Sequence, residues 1–185
     1  MSRSTSRKPR TFLDEAALYD YAVKALGRQM RTEVELRRLM TVRAEPSENG
    51  ERAVRAAIAR LKEHGYLDDR AFAETYARLR QENEKLGARR VQQDLQRKGI
   101  RTELIKETVN ARYGETDEEK LAREYLSRKR IPKPESPKDT ARVMRRLVAA
   151  GFSTGTIYKV LLRWEVPEEE LAALDSVDTE THDEE

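Results

Sequence analysis

The sequence predicts an all-α fold, an elongated and curved array of three tandem three-helix repeats. A motif of Leu-x-x-x-Gly followed by an apolar residue occurs three times in the chain. Residues 90–100 also align without gaps on residues 142–152, with matching Arg, Val, Leu, Gly and apolar positions. The composition is 38% charged and 6% aromatic, which is too polar for a thick globular core and is typical of thin arrays of amphipathic helices.

The three motifs are expected to mark helix ends. Glycine tolerates the left-handed conformation that closes a helix, and the next apolar residue is expected to pack back on the last turn. The pairs are Gly65–Tyr66, Gly99–Ile100 and Gly151–Phe152. Tyr76 and Tyr125 lie 49 residues apart and Gly99 and Gly151 lie 52 apart, a difference that the proline-rich segment 131–137 explains. The alternative is chance similarity among helices rich in Arg and Ala.

The domain boundaries follow from these signals and from composition. We expect a disordered basic arm at residues 1–13 and a mostly disordered acidic tail at residues 167–185. Three repeats are expected between them, at residues 14–65, 66–114 and 115–166.

The first two helices have clear start signals. Asp14 is expected to cap a helix that extends to about Arg28. Thr32 and Glu35 have the spacing of a capping box, which predicts the start of the second helix. The residues expected to face inward are Leu18, Tyr21, Ala22, Ala25, Val34, Leu36 and Leu39.

A loop is predicted at residues 43–50, which contain Pro46 and the pair Asn49–Gly50. The third helix is then expected at about residues 51–64. Its inward residues are expected to be Val54, Ala57, Ile58 and Leu61.

The second repeat begins with the turn Gly65-Tyr66-Leu67-Asp68-Asp69, in which Asp68 or Asp69 is expected to cap the fourth helix. The fifth helix is predicted at residues 87–98, and the sixth from Thr102 to Tyr113. The inward residues are expected to be Phe72, Tyr76, Leu79, Ala88, Val91, Leu95, Leu104, Ile105 and Val109.

The third repeat has three further caps. The seventh helix is expected to begin near Asp117, the eighth near Ser136 or Pro137, and the ninth after Ser153. Its inward residues are expected to be Leu121, Tyr125, Val143, Leu147, Ala150, Ile157, Val160, Leu161 and Trp164. Residues 168–174 are predicted to form a short acidic helix.

Charge is unevenly distributed along the chain. The net charge is +3, but residues 1–164 carry +13 because ten acidic residues and no Lys or Arg occur from Glu165 onward. The positive charge of residues 1–164 favours a polyanionic partner or an acidic protein surface. The alternative is that these basic residues only form a solvated helical surface. The tail is expected either to restrain polyanion binding or to act only in solubility.

The sequence contains no visible catalytic or metal-binding constellation. We find no P-loop, dinucleotide-binding glycine motif or metal-binding histidine pair, and the chain has no cysteine. We therefore expect a protein that is not an enzyme and that uses no cofactor or metal. With no apolar run of about 20 residues and no signal-peptide pattern, a cytoplasmic location without a membrane partner is expected.

Three segments carry a family resemblance. They are Tyr-Leu-Asp-Asp-Arg-Ala-Phe-Ala at residues 66–73, Leu-Gly-Ala-Arg-Arg-Val at 86–91 and Leu-Gln-Arg-Lys-Gly-Ile at 95–100. At this separation they resemble the RecX family, over about residues 14–165. The resemblance implies tandem three-helix repeats, in agreement with the repeat found above. The loop at residues 43–50 and the acidic tail depart from the family pattern.

The resemblance also implies a function. RecX proteins regulate the RecA recombinase: they bind along or within the groove of the RecA–DNA filament and restrain its ATPase, strand-exchange and co-protease activities in DNA repair and the SOS response. The implied partner is therefore the RecA filament on DNA, with weak direct DNA binding, and the chain is expected to be a monomer.

Basic residues on outward helix faces are the candidate contacts for the filament or its DNA. They are Arg55 and Lys62 in the first repeat, Arg89, Arg90, Arg97, Lys98 and Arg101 in the second, and Arg142, Arg145 and Arg146 in the third. Two other functions stay open at this point. One is direct DNA binding through helix-turn-helix-like units, and the other is a general helical scaffold.

Overall fold

The computed structural model describes residues 11–169 and 171, and all the regular structure in that part of the chain is helical. Its main helices are α1 Glu15–Leu26, α2 Glu33–Thr41, α3 Glu48–Glu63, α4 Asp69–Glu84, α5 Ala88–Arg97, α6 Thr102–Tyr113, α7 Glu118–Arg128, α8 Pro137–Ala149 and α9 Thr154–Leu162. Glu168 and Glu169, at the start of the predicted acidic helix, are also helical, and most of that helix lies outside the described residues. The predicted all-α class, with three helices in each expected repeat, is confirmed. Most of the predicted basic arm and acidic tail lies outside the described residues.

Backbone contacts divide the described chain into two compact units. The first unit comprises the described residues up to Phe72 together with Lys98–Ile100, and the second comprises Ala73–Arg97 and the residues from Arg101 onward. The turn that ends α5 therefore belongs to the first unit. The boundaries of the three repeats stay a prediction.

The core of the first unit lies between α1, α2 and α3, which contact one another. Leu18, Leu36 and Leu61 are fully buried there, as predicted. Met40 is also fully buried, whereas Leu39, predicted to face inward, is only half-buried. The prediction chose the wrong apolar neighbour because two adjacent apolar residues cannot both lie at the centre of one helix face.

The predicted loop before α3 is one turn too long. Ser47 caps α3, its hydroxyl accepting a hydrogen bond from the amide of Gly50, so Asn49 and Gly50 are helical. A Cβ at Gly50 would lie 2.0 Å from the carbonyl oxygen of Glu45. This glycine therefore permits a close backbone approach and does not form a turn.

The turn after α3 contains a second correction. Gly65 is left-handed with φ of 71°, and the amide of Tyr66 donates to the carbonyl of Leu61 at 2.9 Å, as in a Schellman motif. Tyr66 itself is 54% exposed, and Leu67, 4% exposed, packs on the core in its place. The expected packing is confirmed at the other two turns, where Ile100 and Phe152 are buried.

The two aspartates that follow have different roles. Asp68 Oδ1 accepts hydrogen bonds from the amides of Arg70 and Ala71, so it caps α4. Asp69 Oδ1 accepts from the amide of Glu33 at 2.9 Å and so satisfies the first turn of α2. Only Asp68 therefore caps the helix expected from the sequence.

The Gly99 turn packs on the start of α2. The hydroxyl of Thr32 donates to the carbonyl of Lys98 at 2.7 Å and accepts from the amide of Glu35 at 3.2 Å, and the predicted capping box is confirmed. Gly99 has φ of 80°, and a Cβ there would lie 2.6 Å from a methyl of Val34.

The second unit has its main core between α7, α8 and α9. Phe152, Leu126, Leu147, Ile157 and Leu161 are its largest buried side chains. In the preceding helices Val91, Leu95 and Ile105 are buried as predicted. Leu79 is 41% exposed and the prediction for it is wrong, because α4 buries the smaller Ala73 and Ala77 instead.

The backbone around Gly87, at the start of α5, passes very close to the backbone around Gly151, at the end of α8. We call this contact the glycine crossing. The amide of Gly87 donates to the carbonyl of Ala150 at 2.9 Å, and the amide of Arg89 donates to the carbonyl of Gly151 at 3.3 Å. A Cβ at Gly87 would lie 2.3 Å from the Gly151 oxygen, and one at Gly151 would lie 2.2 Å from the Arg90 nitrogen. Amides left open at one helix start thus satisfy carbonyls left open at another helix end.

Four single substitutions separate the cost of left-handed backbone from the cost of crowding. In Gly65→Ala the added Cβ contacts nothing within 4 Å, so only the left-handed φ of this residue destabilises the variant. A loss of about 1 kcal/mol in the free energy of unfolding is expected. Gly99→Ala and Gly151→Ala also create close contacts and should lose about 2–4 kcal/mol. Gly155→Ala, in α9 with open space around it, should be neutral or stabilising.

Urea unfolding midpoints of the four variants would test this ranking. If Gly65→Ala lowered the midpoint as much as Gly151→Ala, crowding where α5 crosses α8 would add nothing to the cost of the left-handed backbone.

Glu118 in the first turn of α7 ties the start of α9. Its carboxylate accepts from the Ser153 amide at 2.9 Å and from the hydroxyls of Ser153 and Thr156, each at 2.6 Å. Burial opposes ionisation of Glu118, but these hydrogen bonds outweigh that effect and hold its pKa below the ordinary value.

Because the folded-state pKa is lowered, Glu118 stabilises the fold above its unfolded pKa, and this contribution is lost as pH falls through the folded pKa. Glu118→Gln should therefore cost about 1–2 kcal/mol at pH 7, and this difference should shrink as pH is lowered from about 5 to 3. Urea unfolding of both proteins across this range measures it. A difference independent of pH would mean that the charge of Glu118 contributes nothing.

Candidate functional site

The predicted basic face of α5 is organised by one acidic residue. Asp94 Oδ1 lies 3.2 Å from Nε of Arg90 and 2.7 Å from a terminal nitrogen of Arg97. The Asp94 side chain is only 13% exposed, so water screens these pairs less than pairs at the open surface. Two of the predicted contact arginines are therefore already partly neutralised within their own helix.

Tyr76 adds a third interaction to Asp94. Its hydroxyl donates to Asp94 Oδ2 at 3.2 Å, and the guanidinium of Arg80 lies 4.7 Å from the centre of its ring. Burial raises the pKa of Tyr76, and the Asp94 charge adds to that rise, so the hydroxyl stays protonated and donates.

The two lysines among the predicted contacts, which both belong to the first unit, are also paired. Lys62 contacts Glu33, and Lys98 Nζ lies 2.8 Å from Glu35 Oε1 and 5.4 Å from the ring centre of Phe72. Burial opposes ionisation of Glu33, but hydrogen bonds from Lys62 and Arg37 outweigh it and hold the Glu33 pKa below its usual value. Both lysines thus stabilise the acidic start of α2.

The remaining predicted residues divide into two groups. Arg55 lies 3.6 Å from Glu51, and Arg142 lies 2.8 Å from Asp139, each pair within one helix and largely exposed. Four of the predicted arginines are exposed and form no ion pair with any described residue, and we refer to them as the unpaired arginines: Arg89, Arg101, Arg145 and Arg146. All four belong to the second unit.

The end of α7 and the face of α8 form a cleft that the sequence did not predict. It has a volume of about 200 Å³ and is lined by Arg130, Ile131, Pro132, Arg142, Val143 and Arg146. Arg142 and Arg146 were predicted as surface contacts, but Arg130 was not. The sequence pattern explains residues 131–137 only as a proline-rich insert, although the basic run Arg128-Lys129-Arg130 directly before it was a visible signal.

A metal-binding cluster is absent from the part of the chain that the structure describes. Within it, no group of three His, Cys, Asp or Glu side chains is placed to hold a metal ion. His64 Nδ1 lies 2.7 Å from the hydroxyl of Tyr19, which gives that ring a structural partner. None of the helices in the same residues combines the length and apolar character required to cross a bilayer.

Comparison with known proteins gives a consistent result. A family model described as RecX, second three-helix domain, matches residues 68–109. A protein of Deinococcus radiodurans named Regulatory protein RecX is 36% identical over 69% of this chain and 62% of its own length. Proteins of the same name from Salmonella newport and Thermus thermophilus are each 32% identical, covering 86% and 81% of this chain and 96% and 92% of their own lengths.

Solved structures agree in fold. The crystal structure of RecX from Lactobacillus salivarius matches with a TM-score of 0.64 at 19% identity, over 82% of this chain and 97% of that chain. A second crystal structure, of regulatory protein RecX, matches with a TM-score of 0.65 at 23% identity, over 80% of this chain and 71% of that chain.

Asp94→Asn tests whether Asp94 masks the basic face of α5. Removing this charge should release Arg90 and Arg97 and raise the salt concentration at which the protein elutes from a polyanionic heparin column. Glu51→Gln, which releases the largely exposed Arg55, is the matched control and should have a smaller effect because that pair is already screened. Equal elution of Asp94→Asn and the wild type would show that Asp94 does not limit these arginines.

Proposed function

This chain belongs to the RecX family, and on that basis we propose that it is a regulatory protein that binds the RecA filament on DNA. Binding would restrain the recombinase, ATPase and co-protease activities of RecA in DNA repair and the SOS response. The proposed role is not enzymatic and requires no cofactor. The proposed partner, a DNA-bound filament, would place the chain in the cytoplasm.

The observation that carries this proposal is the set of unpaired arginines. Arg89, Arg101, Arg145 and Arg146 are exposed and form no ion pair with a described carboxylate, although the charge of Arg89 also acts on Glu118 and helps to lower its pKa. An exposed arginine without a partner keeps its full attraction for phosphate or carboxylate groups, whereas a paired one must first be released. The second unit therefore supports binding to an anionic surface such as a nucleoprotein filament.

A regulator of this kind acts through its preference among filament states. A ligand shifts a conformational equilibrium only by its difference in affinity for the states involved. If the chain binds one state of the filament more tightly, it holds RecA in that state and slows the conformational changes coupled to ATP hydrolysis. Long-range attraction between opposite charges would also speed encounter with the filament at low salt.

Direct DNA binding without RecA is the second candidate function. The arginine-lined cleft at the end of α7 favours it, because phosphate is the most abundant anion on a DNA surface.

The combined variant Arg89→Gln, Arg101→Gln and Arg145→Gln tests the proposed function. It removes three unpaired charges, none of which lines the cleft, and should inhibit RecA-filament ATPase about 10-fold less effectively than wild type at low salt. Titration of the chain into preformed RecA–DNA filaments measures this, with stability checked by urea unfolding.

The matched control is Lys106→Gln, Lys120→Gln and Lys159→Gln, which removes the same charge from exposed lysines of the second unit that form no ion pair with the described residues. It should retain most of the inhibition. Wild-type chain that leaves the ATPase unchanged at every concentration would contradict the function itself. Equal loss in both variants would contradict only the assignment to the unpaired arginines.

A further inference from the structure

The cleft lined by Arg130, Arg142 and Arg146 carries an inference that rests on the proposed function and makes it more specific. We propose that this cleft binds a backbone phosphate of the DNA strand in the filament. The chain would then contact the DNA itself and not only RecA, and Arg130 would be the central residue of that contact.

The backbone at Arg130 is the first observation. Arg130 ends α7 with φ of 52°, and the amide of Ile131 donates to the carbonyl of Leu126 at 2.9 Å, as in a Schellman motif. Glycine is the preferred residue at this position because a Cβ disfavours the left-handed conformation. Gly65, Gly99 and Gly151 occupy the same conformation at the ends of other helices.

Two other residues with side chains adopt this conformation, and both form ion pairs. Lys85 Nζ lies 2.8 Å from Glu124, and Glu165 lies 2.6 Å from Lys133. Arg130 differs from both, because its guanidinium has no ion pair among the described residues. The hydrogen bonds of the turn stabilise this backbone, but they leave the guanidinium of Arg130 available to an external anion.

The charge in the cleft is the second observation. Arg142 and Arg146 lie four residues apart on α8 and so share one face, and Arg130 approaches them from the loop. Asp139, paired with Arg142, is the one carboxylate that forms an ion pair with any of the three arginines within the described chain. Three positive charges therefore face one negative charge, and the cleft keeps a positive excess.

The arrangement favours phosphate over a side-chain carboxylate. A carboxylate presents two oxygens in one plane, which a single guanidinium can bind as a fork. A tetrahedral phosphate presents oxygens in several directions and can accept from guanidinium groups on two different elements.

The size and the walls of the cleft agree with one nucleotide unit. Its volume, about 200 Å³, is below the range of about 300–1,000 Å³ that is usual for small-molecule pockets. Ile131, Pro132 and Val143 add apolar wall beside the arginines. This combination suits one phosphate with the edge of its sugar, along a strand that continues past the cleft.

Arg130→Gly gives the sharpest test. Glycine relaxes the left-handed backbone, so the urea midpoint should rise, while DNA binding should weaken because the central guanidinium is removed. Fluorescence anisotropy of the full chain with a labelled single-stranded oligonucleotide, without RecA, measures binding. We expect about 3- to 10-fold weaker binding at low salt. Higher stability with unchanged affinity would overturn the inference, and misfolding cannot explain a variant that is more stable.

A second variant measures the number of phosphates. Combined Arg130→Gln, Arg142→Gln and Arg146→Gln should lower the slope of log affinity against log salt by about 0.7 for each phosphate that the variant no longer binds. The control Lys106→Gln, Lys120→Gln and Lys159→Gln removes equal charge elsewhere in the second unit. An equal change of slope in both would mean that only total charge matters, and would overturn the cleft.

Competitors identify the anion. Poly-L-glutamate at matched charge concentration should displace the oligonucleotide less from wild type than an unlabelled oligonucleotide does. Stronger displacement by poly-L-glutamate would assign the cleft to an acidic protein surface, and complete displacement by millimolar inorganic phosphate at constant ionic strength would assign it to free phosphate. Both results overturn the inference. Since no RecA is present, they leave the proposed restraint of RecA ATPase to be judged by its own titration.

Discussion

The structure depends on one constraint, the need to satisfy open backbone groups at the ends of short helices. Helices α1 to α9 have 9 to 16 residues each, so a large share of their amides and carbonyls lies in the first or last turn. At the glycine crossing, amides at the start of α5 bond carbonyls at the end of α8. Neither Gly87 nor Gly151 leaves room for a Cβ, so this solution requires both glycines.

Side chains solve the same problem elsewhere in the chain. Thr32 links the start of α2 to the carbonyl of Lys98, Asp69 bonds the first amide of α2, and Glu118 holds the start of α9. In each case a polar residue of one helix satisfies a terminus of another. These polar links add specificity to which helix ends meet.

The basic residues are of two kinds. Lys62 and Lys98 are held by Glu33 and Glu35 at the start of α2, and Arg90 and Arg97 are held by Asp94. Those cations have internal partners and stabilise the fold. The unpaired arginines and Arg130 form no ion pair among the described residues, so their guanidinium groups are available to an external anion. Membership of the RecX family and this division of charge together support binding to a nucleoprotein filament.

The sequence by itself determined the helical class, the caps at Asp14, Thr32, Ser136 and Ser153, and the left-handed turns at the three glycines. These features are local, because a cap or a glycine turn depends on residues within about four positions. Tertiary structure decided the rest. Tyr66 is exposed while Leu67 packs, Gly50 lies inside a helix, and Arg130 lines a cleft with α8. The outcomes at Tyr66, Leu67 and Arg130 depend on which groups of other elements lie nearby, and residue spacing along one helix does not contain that information. At Gly50 the cap by Ser47 is local, but the pair Asn49–Gly50 is also a common turn signal.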